Sequence, residues 1–386
     1  MSSIPTKIPF VNLSLQHQPI QSQIEQVIAE IIQQGDFILG QALTEFETAF
    51  AAACGVQYGI GVACGTDAIA LGLQSCGIHP GDEVILPANT FIATIIGVIQ
   101  AKAVPILVDC DPDTALIDLT AAETAITSKT KAIIPVHLYG QMVSPIQLLD
   151  FAKRHDLIIF EDAAQAHLAE REGYRAGSIG KAAAFSFYPS KNLGSFGDGG
   201  MLITNDGELA EKMRTLRNYG APSKYLHTEI GTNSRLDNLQ AAVLNVKLPH
   251  LEKWNADRTL AAQHYNTLLE PLKRKGIVPI ANHSSSGHIY HLYVIRVTEK
   301  SPLAKPSKRI DRNTLQEKLA QEGIQTGIHY PVPCHLQPAY QNLGNPGDFP
   351  HTETLCQQIL SLPMYPGLSN TQIEQVVGAI GRSLNC

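Results

Sequence analysis

The chain has 386 residues, 44% hydrophobic and 17% charged, with 30 glycines and 23 prolines; that composition excludes a disordered or fibrous protein, and the length asks for two packed units of unequal size. With 29 basic and 35 acidic residues the formal charge is -6, and no basic run interleaves with aromatics, which argues against nucleic acid as a partner. No apolar stretch approaches the roughly 20 residues of a bilayer span, and the N-terminal MSSIPTKIPFVNLSLQ lacks the layout of a secretory signal, so a cytoplasmic protein without membrane contact is expected.

From about residue 58 strands and helices alternate. YGIGVA (58–63) reads as a strand, 66–76 as the helix after it, 83–86 as a strand, 93–101 as a helix and 105–108 as a strand. KAIIPV (131–136) repeats the strand signal, 145–155 is amphipathic at helical spacing, and LIIF (157–160) is a strand again. Two more strands, 182–187 and 200–204, have no long helix between them. Continuous apolar strands separated by helices predict a mostly parallel mixed sheet covered on both faces, a three-layer α/β/α unit over 1–250. A helical stretch at 240–251 that ends near Trp254 and a helix running to Leu269 come next. A strand pattern at 288–297, a helix at 313–322, a strand at 324–329 and a helix around 371–383 follow them. These predict a smaller α+β unit over 251–386. Seven cysteines, at Cys54, Cys64, Cys76, Cys110, Cys334, Cys356 and Cys386, form no CxxC pair and read as free thiols.

In such sheets ligands bind beyond the carboxyl ends of the strands. After YGIGVA, Cys64-Gly65-Thr66-Asp67 opens directly into a helix, aiming first-turn N–H groups and the positive dipole end at an anion; the plainer reading is a cap, with Thr66 satisfying its own helix. After EVILP, Phe91 can lie against a planar ring or be a core aromatic. After LIIF come Glu161 and Asp162, then Ala163, Ala164 and Gln165. Strand alternation turns the two carboxylates apart, and a buried one needs a partner. Asp162 suits a protonated ring nitrogen and Gln165 another polar ring substituent; a capping or metal-binding acid competes, although the neighbouring alanines offer Mg2+ no further acids. Then FSFYPSKNLG (185–194) and GDGG (197–200) set Lys191 after an apolar strand and a proline and before a glycine-rich turn. A partly buried lysine has a depressed pKa and becomes an amine nucleophile; a solvated loop lysine is the alternative. His288 and His291 make an HxxH in an expected strand, a weak metal signal.

Together the strand ends describe one ligand. It needs a phosphate cradle (Gly65, Thr66, Ser186), a stacking aromatic (Phe91), a carboxylate for a ring nitrogen (Asp162) and a reactive amine (Lys191). Pyridoxal 5'-phosphate has those four parts, and no metal is expected.

In order, CGTDA, PANTFIAT, EDAAQA, SFYPSKNLG, GDGG and NSRLDNLQAA resemble the DegT/StrS group of nucleotide-sugar aminotransferases, which have the fold type I architecture of aspartate aminotransferase. The resemblance runs from IPFVNL at residue 8 to the C-terminal helix. It implies that Lys191 carries the cofactor as a Schiff base and later moves the proton, that Asp162 holds the pyridine nitrogen protonated, and that Gln165 contacts the ring oxygen. Phe91 would stack on the ring, and Ser186, Gly65 and Thr66 would bind the phosphate. It further implies a homodimer with shared active sites, in which Asn233 reaches the neighbouring subunit's site and Arg235 serves the substrate phosphate there. Tyr188, with His329 and Tyr330 of TGIHYPVPCHLQPAY, resembles the subset acting on 3-keto sugars. DFILG (36–40) resembles the family's active-site edge. The implied reaction moves an amino group from glutamate to a nucleotide-linked 3-keto-6-deoxyhexose, with a 4-keto sugar as the alternative; a strand-end packing pair remains the plainer reading of His329 and Tyr330. Relatives that cleave a sugar C–O bond carry histidine for the lysine or a cysteine-bound iron–sulfur cluster, and neither pattern is present. A regulator that merely senses the cofactor would not need Lys191, Asp162 and Gln165 intact.

Overall fold

The computed structural model describes residues 7–298 and 310–384; Cys386 lies outside them. Nine strands fall in the first part of the chain: β1 (Tyr58–Val62), β2 (Glu83–Pro87), β3 (Val104–Val108), β4 (Thr130–Ile133), β5 (Ile158–Asp162), β6 (Glu170–Arg171), β7 (Tyr174–Arg175), β8 (Ala182–Ser186) and β9 (Gly200–Thr204). Seven of them form one sheet in the order β1-β9-β8-β5-β4-β2-β3. From β8 to β3 every pairing is parallel, and β9 runs antiparallel to both β8 and β1. The reversed strand sits where the sequence offers no crossover helix, because a parallel return needs one. β6 and β7 pair only with each other.

The strands are buried on both faces, as a doubly covered sheet requires. One core, centred on Ile85, Leu86, Ile133 and Phe160, lies beneath the helices Gly65–Ser75, Ile92–Gln100 and Pro145–His155. The other, with Phe46, Phe50, Phe185 and Phe187, covers the opposite face; Phe50 meets Phe185 and Phe187 edge-on at 5.0 and 5.3 Å, the geometry that ring quadrupoles favour. Helix Pro145–His155 shows how local sequence sets these elements. Ser144 accepts from the Gln147 N–H (3.3 Å), Pro145 opens the helix, and Lys153, Arg154 and His155 occupy its last turn, each placed as the dipole and orphan amides prefer.

The second part has an antiparallel sheet, β10 (Ile277–Pro279), β11 (Tyr293–Val297) and β12 (Ile359–Leu362), ordered β10-β11-β12. It packs with helices Leu251–Leu269, Arg312–Gln321 and Asn370–Ser383. Ile8 joins this core from the N-terminal side.

Several sequence expectations shift. The strand expected at 131–136 ends at Ile133, since Pro135 has no N–H to give the ladder. The strand expected at 324–329 is reduced to single bridges, Ile8 with Ile324 and Gly327 with Ser361, because the backbone leaves the sheet to carry His329 and Tyr330 into a cavity. The strand expected from 288 starts only at Tyr293. The helix expected at 240–251 is Asn238–Lys247, and a tight turn containing Pro249 separates it from Leu251–Leu269. Among the described residues no helix is long and apolar enough to cross a membrane.

Candidate active site

The carboxyl ends of β1, β2, β5 and β8 converge on a cavity of about 470 Å3 that is also lined by residues of the second part of the chain. Its first wall is the turn after β1. Cys64, in extended conformation, caps helix Gly65–Ser75 through its sulfur, which accepts from the Asp67 N–H at 3.4 Å. The cap is therefore Cys64 and not Thr66, and both Gly65 and Thr66 line the cavity at the helix N-terminus, where an anion is favoured. Asp67, the acid in that first turn, is drawn aside: its carboxylate accepts from Ser234 Oγ (2.6 Å), and Ser234 Oγ accepts from the Ala63 N–H (3.1 Å). Two glycines permit the close packing here. A Cβ on Gly65 would stand 2.8 Å from Ser186 Cβ, and one on Gly200 would stand 2.8 Å from the Gly65 nitrogen. Neither position has room for a side chain.

The two acids that end β5 do different things. Glu161 turns away from the cavity; its carboxylate accepts from His137 Nε2 (2.9 Å), from Gly177 N–H, and from Ile179 and Gly180 N–H (2.8 Å each). Four donors satisfy it completely, which identifies it as a structural acid. Asp162 faces the cavity. Its Oδ2 accepts from Thr94 Oγ1 (2.7 Å) and its Oδ1 from the Ala164 N–H (3.1 Å). Burial pushes the Asp162 carboxyl above its ordinary range, while the Thr94 and Ala164 bonds and the Lys191 charge pull it back. Such a carboxylate is well suited to a cationic partner at close range.

Lys191 enters from the loop after β8. Its own N–H donates to the Tyr188 carbonyl (2.8 Å), and Ser195 binds the Phe187 carbonyl through N–H and Oγ (2.8 Å each). Buried Lys247 donates to the Gly194 carbonyl. Burial pushes the Lys191 amine down to about 8, with Asp162 opposing the shift. An amine at that value keeps an appreciable neutral, nucleophilic fraction near neutral pH.

The facing wall carries Gln165, Phe91, Tyr188, His329 and Tyr330. Gln165 Oε1 accepts from the Tyr139 N–H (2.8 Å), and its Nε2 donates to Tyr330 Oη (3.1 Å). Phe91 is 50% exposed and tilts against Tyr330 with ring centroids 5.2 Å apart; it is not a core aromatic. His329 Nδ1 lies 2.9 Å from Ser361 Oγ, and burial pushes the ring down to about 4. His329 and Tyr330 both line the cavity, and they also pack there, the His329 ring stacking on Phe10 with centroids 5.5 Å apart.

Two expected residues lie elsewhere in the chain. Asn233 is exposed, and Arg235 donates to Asn218 Oδ1 (3.2 Å) and sits over the Tyr219 ring; neither lines the cavity. The Asp36 to Gly40 turn is held by Asn238, whose Nδ2 donates to the Asp36 carbonyl (2.6 Å), and it also lies off the cavity. Conversely, Thr94 and His291 line the cavity without a sequence motif that places them there. Thr94 sits one turn into the helix of PANTFIAT, where helical spacing points it back toward the β5 end. The HxxH does not gather a metal set: His288 stacks on Tyr290 at 3.7 Å, while His291 bonds Asn192. Among the described residues no three His, Cys, Asp or Glu side chains converge as a metal site.

The residues fit pyridoxal phosphate. Gly65 and Thr66 present a helix N-terminus to the cavity, in a turn that the absence of side chains at Gly65 and Gly200 lets pack against Ser186 and β9; a buried carboxylate faces the same space, and a lysine with a depressed pKa enters it. Comparison with known proteins agrees. Residues 18–381 match the DegT/DnrJ/EryC1/StrS aminotransferase family. The chain is 44% identical to the Geobacillus stearothermophilus "Pleiotropic regulatory protein", covering 97% of each chain. It is 42% identical to the dTDP-3-amino-3,4,6-trideoxy-alpha-D-glucose transaminase of Streptomyces venezuelae, covering 97% of this chain and 95% of that one. The crystal structure of S. venezuelae DesV in complex with a ketimine intermediate superposes with a TM-score of 0.92 at 42% identity, over 98% of this chain and 99% of that one. The chain belongs to the DegT/DnrJ/EryC1/StrS aminotransferase family, whose members depend on pyridoxal phosphate.

Proposed function

We propose that this aminotransferase transfers an amino group from glutamate to C3 of a nucleotide-diphosphate-linked keto-deoxysugar. The observation that carries the reading is the convergence, in one cavity, of Lys191, Asp162 and the Gly65 helix N-terminus with the polar trio Tyr188, His329 and Tyr330. The transaminase of S. venezuelae named for a dTDP-3-amino sugar supports the choice of carbon.

When bound, pyridoxal phosphate supplies an electron-withdrawing ring that lets the carbon bearing the transferred nitrogen lose and regain a proton. This chain's residues do the rest. Gly65, Thr66 and Ser186 hold the phosphate, with the helix dipole favouring its charge. Asp162 would accept a hydrogen bond from the ring nitrogen and so keep a proton there. Gln165, already fixed by Tyr139, would contact the ring oxygen, and Phe91 would hold the ring by its face. Lys191 Nζ would hold the cofactor covalently and, as the neutral amine that burial favours, would accept and return the proton. Tyr188, His329 and Tyr330 bind the sugar.

The same reading has a homodimer in which Asn233 and Arg235 complete the site of the second copy. Asn233 is exposed, and near it Tyr225 and Ile230 are 85% and 99% exposed, an apolar surface that a second chain would cover. It also takes 1–250 as the cofactor-binding unit and 251–386 as the smaller unit, supported by the separate core of the small sheet, and it places the enzyme in the cytoplasm. The test offers dTDP- and UDP-linked 3-keto and 4-keto sugars with glutamate and detects products by mass. A 3-amino sugar with stoichiometric 2-oxoglutarate is expected. Turnover of the 4-keto sugars alone would overturn the carbon assignment, and no amino sugar from any acceptor would overturn the function.

A further inference from the structure

The two histidines of the HxxH part company in the structure, and one of them is not used by the mechanism above. His288 is structural: its ring lies flat on Tyr290, and its Nδ1 accepts from the Tyr290 N–H (3.1 Å). His291 lines the same cavity as Lys191. Its Nδ1 is 3.1 Å from Oδ1 of Asn192, the residue directly after Lys191. Asn192 spends its amide hydrogens on Asn255 Oδ1 (2.8 Å) and the Ile289 carbonyl (3.2 Å). Its oxygen is therefore the acceptor toward His291, which fixes the proton on Nδ1 and leaves Nε2 as a bare lone pair. Nε2 has no hydrogen-bond partner in the protein among the described residues.

We propose that Asn192 and His291 are a positioning pair for Lys191: Asn192 clamps the main chain behind the lysine, and His291 holds an acceptor nitrogen on the cavity wall toward the lysine nitrogen. The pair is built in from a third element. On helix Leu251–Leu269 the side chains of Asn255, Arg258 and Thr259 share one face at the spacing that helical neighbours require. Asn255 holds Asn192, Thr259 Oγ1 donates to the His288 carbonyl (3.3 Å), and buried Arg258 donates to the carbonyls of Tyr290 (3.3 Å), His291 (3.4 Å) and Met364 (3.1 Å). The only polar contacts of Arg258 among the described residues are these carbonyls. Burial holds His291 well below its ordinary value, and the charges of Lys191 and Arg258 act in the same direction, as would His329 and His167 if either were protonated. It stays neutral, so Nε2 stays an acceptor. Besides His291, the titratable groups that line the cavity around Lys191 are Cys64, Asp162, Tyr188, Asp198, His329 and Tyr330, and buried His167 feels the Lys191 charge from behind it.

The inference rests on Lys191 bearing the cofactor, and its test reads that point separately. An acceptor near the lysine nitrogen favours its protonated form, so removing it lowers the pH at which the visible band of the cofactor-loaded protein changes. His291→Leu removes the acceptor. Asn192→Leu strands the Nδ1 proton and lets it move to Nε2. Each is expected to lower the band's midpoint by about half a unit to one unit, while His291→Gln, which keeps a donor and an acceptor, restores most of the shift. A merely structural role would change thermal stability without moving the midpoint. An unmoved or raised midpoint in the folded leucine variants overturns the proposal; the absence of any visible band in the parent protein overturns the Lys191 reading instead. Should the leucine variants not fold, 15N spectra of histidine-labelled parent protein, assigned with His291→Gln, decide. A non-titrating Nδ1–H ring is expected, and an Nε2–H or titrating ring overturns the proposal.

Discussion

Glu161 and Asp162 are adjacent in sequence and opposite in function, which makes their amide variants a sharp test. Glu161→Gln changes no volume but offers one acceptor oxygen where the carboxylate offers two. The carboxylate now satisfies four donors, from His137, Gly177, Ile179 and Gly180, so about two of them would lose their partner. Each orphaned buried donor costs about 1–3 kcal/mol, giving roughly 2–6 kcal/mol of lost stability, or a melting temperature lower by about 2–7 °C for a chain of this size. Asp162→Asn behaves differently. Thr94 can turn its hydroxyl toward Thr90, 2.8 Å away, the Ala164 N–H keeps an oxygen, and the cost of a buried charge disappears. Its melting temperature should stay within about 2 °C, while turnover falls by at least about 100-fold through loss of charge opposite the ring nitrogen. Thermal melts by far-UV circular dichroism, alongside steady-state rates, check both. A stable Glu161→Gln with impaired chemistry, or an active Asp162→Asn, would refute the assignment of roles.

Lys191→Ala should fold and bind cofactor without a covalent bond, with turnover reduced by at least about 1,000-fold, read by rate and by retention of cofactor on gel filtration. Gly65→Val places side-chain atoms against Ser186 and should weaken cofactor affinity by about tenfold or more, measured by equilibrium dialysis. Because Lys191 is pushed down to about 8, the amine is protonated below that pH and free above it. Capture of added cofactor by the stripped protein should therefore rise about tenfold per unit up to about pH 8 and level off; a rate still climbing past about pH 10 would contradict the burial argument. Mixing Asn233→Ala with Lys191→Ala protein should restore roughly a quarter of parental activity, since random pairing gives one good site in half of the dimers; no recovery would argue against shared sites.

Much of this site can be read in the sequence because it is built from strand ends. Apolar runs such as YGIGV and LIIF mark the sheet, and the residues after each run open onto the cavity by topology alone. The opposed faces of Glu161 and Asp162 follow from the two-residue period of a strand. What that reasoning could not reach depends on long-range geometry. Thr94 bonds Asp162 across 68 positions, and His291 bonds Asn192 across 99; nothing local announces either. The small sheet was harder for another reason. Its strands have only three to five residues, too few for a pattern, and the segment from Ile324 to His329 is extended without a ladder because it bends toward the cavity. The cap at Cys64 was hidden by chemistry, since sulfur is a weak acceptor and Thr66 the more conventional capping residue.

The proposed chemistry requires a covalent bond between Lys191 and the cofactor. Reduction of the cofactor-loaded protein with borohydride, followed by digestion and mass spectrometry, tests it directly. The phosphopyridoxyl label is expected on the peptide FYPSKNLG at Lys191 and on no other lysine, and prior incubation with glutamate should prevent it. Label on Lys247 or another lysine, or none, would contradict it.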